Sequence, residues 1–271
     1  MFKDIIVELG LGPRDVAGSY ALSLGEKFRA HVLGVAINYA ALLPGSIMAE
    51  ALTEVRAEIR GRANNAVARF NEEARRRNVP AGTLILDDGA IVPPEELGAL
   101  ARRFDLAVFG QPEDDFLGAE QAVAEALLFD SGRPVLVVPY IYNGEPKFDR
   151  ITVCWDGSRS AARAVADAMP LLKKAKAVDV VIVGTVPPKS DETSGADLGQ
   201  HLARHGLSVE VKRITSPDVD VANTILSHVA DNSTDMLVMG AYGHSRLREF
   251  ILGGATRGIL QAMTVPTLMS H

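Results

Sequence analysis

The sequence predicts an α/β fold of two tandem open-sheet domains, each a five-stranded parallel sheet with helices on both faces. Three observations carry that reading. The chain has 271 residues and is 47% apolar, which suits roughly two cores of ordinary domain size. Short β-branched runs alternate with stretches of helical periodicity, and parallel strands need such crossovers between them. The same order of elements then occurs twice, as in a tandem duplication.

The repeat is legible element by element. Phe2 to Val7 resembles Phe148 to Val153, each a β-branched strand behind a polar pair. Helical stripes follow: Ala17, Tyr20, Ala21, Leu24 and Phe28 in the first half, and Ala162, Val165, Ala166, Met169 and Leu172 in the second. Strands are expected at His31–Ile37 and Val178–Val186. The halves then diverge, with a long helix over Ile47–Arg77 in the first. The second has a polar loop over Pro187–Asp197 and a brief helix near Leu198–His205. Pro93 to Glu96 and Ser216 to Asp218 carry helix-start chemistry, proline and acids beside N–H groups that lack internal acceptors. Buried strands ending in glycine follow at Asp105–Gly110 and Asp235–Gly240, and final strands at Arg133–Val138 and Val265–Ser270. The Gly- and Pro-containing stretch Pro139–Lys147 joins the halves, giving domains 1–142 and 147–271.

Composition excludes several classes. Charged residues make up 23% with no low-complexity tract, so the chain folds. A net charge of −6 argues against nucleic acid or an anionic membrane as partner. The single cysteine, Cys154, makes no internal disulfide and no zinc site alone, which fits a reducing compartment. Lys3 and Asp4 interrupt the N-terminus, so no signal peptide is expected, and Val180–Val186 is too short to span a membrane. A cytoplasmic protein is the expectation.

Ligands of open parallel sheets collect beyond the C-terminal strand ends, where strand order switches. In the second half Gly240-Ala241-Tyr242-Gly243 is followed after nine residues by Gly253-Gly254-Ala255-Thr256, which opens a helix. Free N–H groups at Ala255 and Thr256, with the helix dipole and the Thr256 hydroxyl, make an anion site; the alternative is a tight turn with a helix start. Asp156, after the first strand of this half, either accepts from a ribose hydroxyl or base amino group or caps the next helix with Ser158. His244 faces phosphate or solvent, and Arg246, Arg248 and Arg257 make forked phosphate contacts or a solvated face.

These residues resemble the universal stress protein family, whose motif is Gly, two residues, Gly, nine residues, Gly, then Ser or Thr. The resemblance covers the whole chain as a tandem pair, with the motif in the second half only. It implies a Rossmann-like, adenine nucleotide alpha hydrolase-like sheet that binds ATP or ADP with a divalent ion such as Mg2+. By the same resemblance, Asp156 contacts the adenosine part and the Thr185 backbone the adenine. Gly240, Gly243, Gly253, Gly254 and Thr256 then hold ribose and phosphates, with Ala255 and His244 beside them. Gly254 departs from the motif, standing where Ser or Thr is usual. The family pairs domains through their final strands, which implies internal pairing of the two domains and assembly of chains as a homodimer; the apolar strand Val265–Met269 agrees. The expected role is nucleotide binding in stress response or signalling rather than catalysis, because no nucleophile–base pair is legible.

The first half departs further. Gly110 is followed by Gln111, Pro112 and the acids Glu113, Asp114 and Asp115, and Gly10 stands where the acid is expected. It should not bind nucleotide in the same way, and serves as a structural partner or holds a different ligand. Gly10-Leu11-Gly12 is only a partial dinucleotide fingerprint, since the third glycine is misplaced, and no Walker lysine follows any glycine run. His201 and His205, four apart, read as a surface pair before a metal site. The alternative for the whole chain is a structural or signalling module of the same fold that binds no nucleotide.

Overall fold

The computed structural model describes residues 1–37, 49–86, 94–112, 119–184, 195–215, 220–241 and 254–271. They fall into two compact units, Met1–Glu145 and Pro146–His271.

In the first unit, β1 (Asp4–Glu8), α1 (Val16–Phe28), β2 (His31–Ile37), α2 (Ala49–Arg77) and β3 (Ala81–Leu86) run in succession. Then come α3 (Pro94–Ala101), β4 (Leu106–Gly110), α4 (Ala119–Asp130) and β5 (Val135–Val138). The strand order is β3-β2-β1-β4-β5, and the pairs β1–β2, β1–β4, β2–β3 and β4–β5 are parallel. Ile5, Ile6 and Val7 are all buried, as a strand covered on both faces requires. Helices α1 and α2 pack together, as do α3 and α4. Right-handed crossovers explain the grouping: the chain moves one way from β1 to β3, then returns past β1 to continue the other way.

The second unit repeats the plan with β6 (Arg150–Cys154), α5 (Arg159–Leu172), β7 (Ala177–Gly184), α6 (Ala196–Arg204) and β8 (Val209–Thr215). It ends with α7 (Val221–Asp231), β9 (Met236–Gly240), α8 (Gly254–Ala262) and β10 (Thr267–Ser270). The order β8-β7-β6-β9-β10 is that of the first unit, again with parallel pairs. In α5 the residues Ala161, Ala164, Val165, Ala168, Leu171 and Leu172 are buried, which is the amphipathic stripe laid on its sheet.

Boundaries differ from the sequence expectation where polar chemistry misleads. The helix expected from Ser216 begins at Val221, because Asp220 is the cap and its Oδ1 accepts from the Asn223 N–H at 3.2 Å. The final strands start later than expected, at Val135 and Thr267. The third strands, β3 and β8, lack a continuous apolar run because both are only partly covered; Leu84 and Val211 are exposed. No helix among the described residues is long and apolar enough to cross a membrane.

Candidate functional site

The switch in strand order of the second unit lies between β6 and β9, which pair as Ile151↔Met236 and Val153↔Val238. The chain leaves β6 toward β7 on one side and leaves β9 toward β10 on the other. Open parallel sheets carry their ligands beyond the C-terminal strand ends at such a switch.

Asp156 follows β6 and is exposed. Its Oδ1 accepts from the Ser158 N–H at 2.9 Å, across Gly157 at φ 75. Ser158 is the actual cap of α5, its hydroxyl oxygen accepting from the Ala161 N–H at 3.1 Å. Capping and ligand binding are thus divided between two residues: Ser158 serves the helix, and Asp156 braces the turn with its carboxylate still at the surface.

Gly240 ends β9, and its lack of a side chain has a reason unrelated to a ligand. A Cβ there would lie 2.5 Å from the Ala161 N and 2.6 Å from the Ser160 carbonyl carbon, so the strand end touches the first turn of α5. Gly254 behaves differently: it opens α8, is exposed, and a Cβ would meet nothing within 4 Å among the described residues. Ala255 is partly exposed, whereas Thr256 is buried at 3% exposure. Of these three, the backbone of Gly254 and Ala255 is the more accessible to an anion, and the expected phosphate contact of the Thr256 hydroxyl is not supported by its burial. Arg257 is exposed in the same turn. Thr185, Gly243, His244, Arg246, Arg248 and Gly253 lie outside the described residues, as do Glu113, Asp114 and Asp115.

Cys154 supplies no nucleophile. Burial, and then the charge of Asp156, push its thiol up to about 12, so it stays protonated at neutral pH. His201 and His205 are exposed with ring centroids 4.8 Å apart, edge to face, and no three His, Cys, Asp or Glu side chains cluster for a metal among the described residues.

A buried charge cluster lies elsewhere in this unit. Asp179, on β7, accepts from Arg150 Nη1 at 2.7 Å and Lys212 Nζ at 3.0 Å, and His228 Nε2 is 3.5 Å away. Burial alone would raise the Asp179 carboxyl, but the two cations together hold it below the usual carboxylate range. Burial, then the Lys212 charge, keeps His228 below its ordinary value. A lone acid in the run Ala177 to Gly184 was the available signal for this cluster.

In the first unit the corresponding loop is held shut by arginines. Arg69 Nη2 donates to the Gly12 carbonyl at 2.7 Å and the Gly10 carbonyl at 3.4 Å. Arg14 Nη2 donates to the Tyr142 carbonyl at 3.1 Å and Asn143 Oδ1 at 2.7 Å. The acid absent at Gly10 has a neighbour in Asp15, which caps α1 by accepting from the Gly18 N–H at 2.8 Å. Burial pushes the Asp15 carboxyl up to about 6, against the lowering effect of the Gly18 and Gly10 N–H groups. A carboxyl raised on folding weakens the fold above its folded pKa, and this loss is relieved as pH falls through about 6 toward the unfolded value of 3.8. Asp15→Asn keeps a cap acceptor and removes the charge. It should therefore stabilise the first unit by about 1 kcal/mol at pH 8 and by nothing measurable at pH 4, read by urea unfolding at both pH values.

Comparison with known proteins gives this geometry a context. The model of the universal stress protein family matches residues 147–271. A universal stress protein of Synechocystis sp. is 28% identical over 173 residues, covering 62% of this chain and 55% of that protein, so the chain spans about half the length of this curated relative. The crystal structure of a universal stress protein from Archaeoglobus fulgidus DSM 4304 aligns with a TM-score of 0.76 at 17% identity, covering 98% of this chain and 95% of that one. A functionally unknown protein from Pseudomonas aeruginosa PAO1 aligns with a TM-score of 0.60 at 15% identity, over 99% and 92% of the two chains. At such identities these likenesses establish the fold.

Proposed function

We propose that the chain is a member of the universal stress protein family through its second unit, where the family's model matches residues 147–271, and that residues 146–271 bind ATP or ADP in a stress-response role without catalysing a reaction. The observation that carries this is the juxtaposition of β6 and β9 at the strand switch, with Asp156 beyond one and Gly240 ending the other. The exposed Asp156 carboxylate accepts from the ribose. The Thr185 backbone receives the adenine, and Gly243, His244 and Gly253 complete the loop around the phosphates. Gly254 and Ala255 offer backbone N–H groups at the positive end of α8, and the missing Cβ at 254 leaves a close approach open. A divalent ion, Mg2+ by charge and size, would enter with the polyphosphate.

Two observations favour the second reading, a module of the same fold that binds no nucleotide: Thr256 is buried and Gly254 has no hydroxyl. Calorimetric titration of the intact chain with Mg–ATP and Mg–ADP separates the two. The expected result is saturable binding to one site, weakened about tenfold by Asp156→Ala and abolished by Gly243→Val. Absence of binding up to millimolar nucleotide would overturn the proposal in favour of the second reading.

A further inference from the structure

The first unit carries a cleft of about 520 Å3 between the first turns of α1, the last turns of α2 and the segment 142–145. That volume suits a small metabolite. Asp15, the cap of α1, and Ser19 and Ser23 on it form a polar stripe at i, i+4 spacing that faces Arg69, Glu73 and Arg76 of α2 across the cleft. The half-buried Tyr142 lines the cleft, its ring set edge to face at 5.5 Å on Tyr20, which is itself buried, so the accessible aromatic wall is the Tyr142 ring.

The hydrogen bonds of the cleft are unevenly used. Glu73 accepts from Arg77 Nε at 2.9 Å and from the Ser19 hydroxyl at 2.8 Å, which engages both oxygens. Glu145 accepts from Arg77 Nη2 at 2.9 Å, and Asp15 from Gly18. The cations differ. Among the described residues, Arg14 and Arg69 each use one terminal nitrogen, on the oxygens named above. Arg76 has no hydrogen bond or ion pair among the described residues. Three guanidinium forks with donors to spare therefore stand against one unengaged carboxylate, the exposed Glu72. Guanidinium donors recognise oxyanions in a planar, bidentate way.

We propose that this cleft is a second ligand site, for a small organic oxyanion, a carboxylate or phosphate monoester, with a flat apolar body. The anion lies against Arg69, Arg76 and Arg14, and the body against the aromatic wall. The site lies within the first unit and does not depend on nucleotide binding at the strand switch of the second. Asp15, faced by Arg69 and Glu73 of α2 and adjoining Arg14, is the acid that opposes the ligand. Its raised carboxyl makes binding tighten as pH falls from 8 toward 6.

The test titrates the isotope-labelled intact chain with phenyl phosphate and, separately, benzoate, following backbone amide shifts. The expected result is saturable shifts in 15–23 and 69–77, about tenfold weaker in Arg76→Gln and unchanged in Asp156→Ala. Arg76 holds nothing among the described residues, so Arg76→Gln is expected to act on the ligand rather than on the fold. Tighter binding of phenyl phosphate identifies a phosphate ligand, and tighter binding of benzoate a carboxylate. Benzoate keeps its charge between pH 8 and 6, and its affinity should rise over that range. No saturable shift with either probe, or shifts that Arg76→Gln leaves intact, would overturn the proposal.

Discussion

Replacing Asp179 by alanine should destabilise the second unit by about 3–5 kcal/mol, the largest single effect expected in this chain. The Asp179 side chain is 1% exposed and sits between Arg150 and Lys212, which are 34% and 24% exposed. Removing it leaves two partly buried cations facing each other beside His228, so the loss includes both the attraction and an uncompensated repulsion. Asp179→Asn keeps the volume and should cost less. Unfolding in urea, followed by the fluorescence of Trp155, reports on this unit because Trp155 is the chain's one tryptophan. A loss under 1 kcal/mol would mean that the cluster contributes little. The same groups set the acid limit. The stability from Asp179, whose carboxyl is depressed on folding, is complete above the ordinary carboxylate value of 3.8 and is lost as pH falls through the folded value. His228, also depressed, resists protonation and adds a loss that begins as pH falls through 6.5.

Gly240→Ala and Gly254→Ala make the same chemical change and should have opposite outcomes. At 240 the new methyl would stand 2.5 Å from a backbone nitrogen of α5 and 2.7 Å from Ser160 Oγ, and backbone cannot move aside as a flexible side chain can. The strand or the helix must shift, at a cost of about 2–4 kcal/mol. At 254 the methyl meets nothing within 4 Å among the described residues, so stability should stay within about 0.5 kcal/mol. If the nucleotide reading is right, Gly254→Ala lowers affinity while leaving the melting temperature alone, because it crowds only the approach to the α8 N–H groups. Thermal unfolding and nucleotide titration of both variants check this.

The strands buried on both faces were the most legible feature of the sequence. His31–Ile37 is predicted and observed with the same bounds, and Asp235–Gly240 differs by one residue. Buried parallel strands are continuous apolar runs, so local composition suffices to find them. The partly covered strands β3 and β8 and the cap of α7 were less legible, because burial on one side or a single side-chain hydrogen bond decides them. The two polar clusters were hidden for a different reason. Asp179 acquires its meaning from Arg150 and Lys212, 29 and 33 residues away. The closed loop of the first unit depends on Arg69, 57 residues from the Gly12 carbonyl that it holds. Such pairs exist only once the strands are in register. At the candidate nucleotide site the glycine spacing was visible at once. The packing role of Gly240 and the burial of Thr256 needed the fold.

Hydrogen–deuterium exchange of the intact chain, with and without near-stoichiometric Mg–ATP, tests the central claim most directly. The account predicts slower exchange after β6 around 155–160, at the end of β9 and into α8 over 240–258, and no change in the first-unit loop 9–15. Unaltered exchange in all these segments, or protection confined to the first unit, would contradict it.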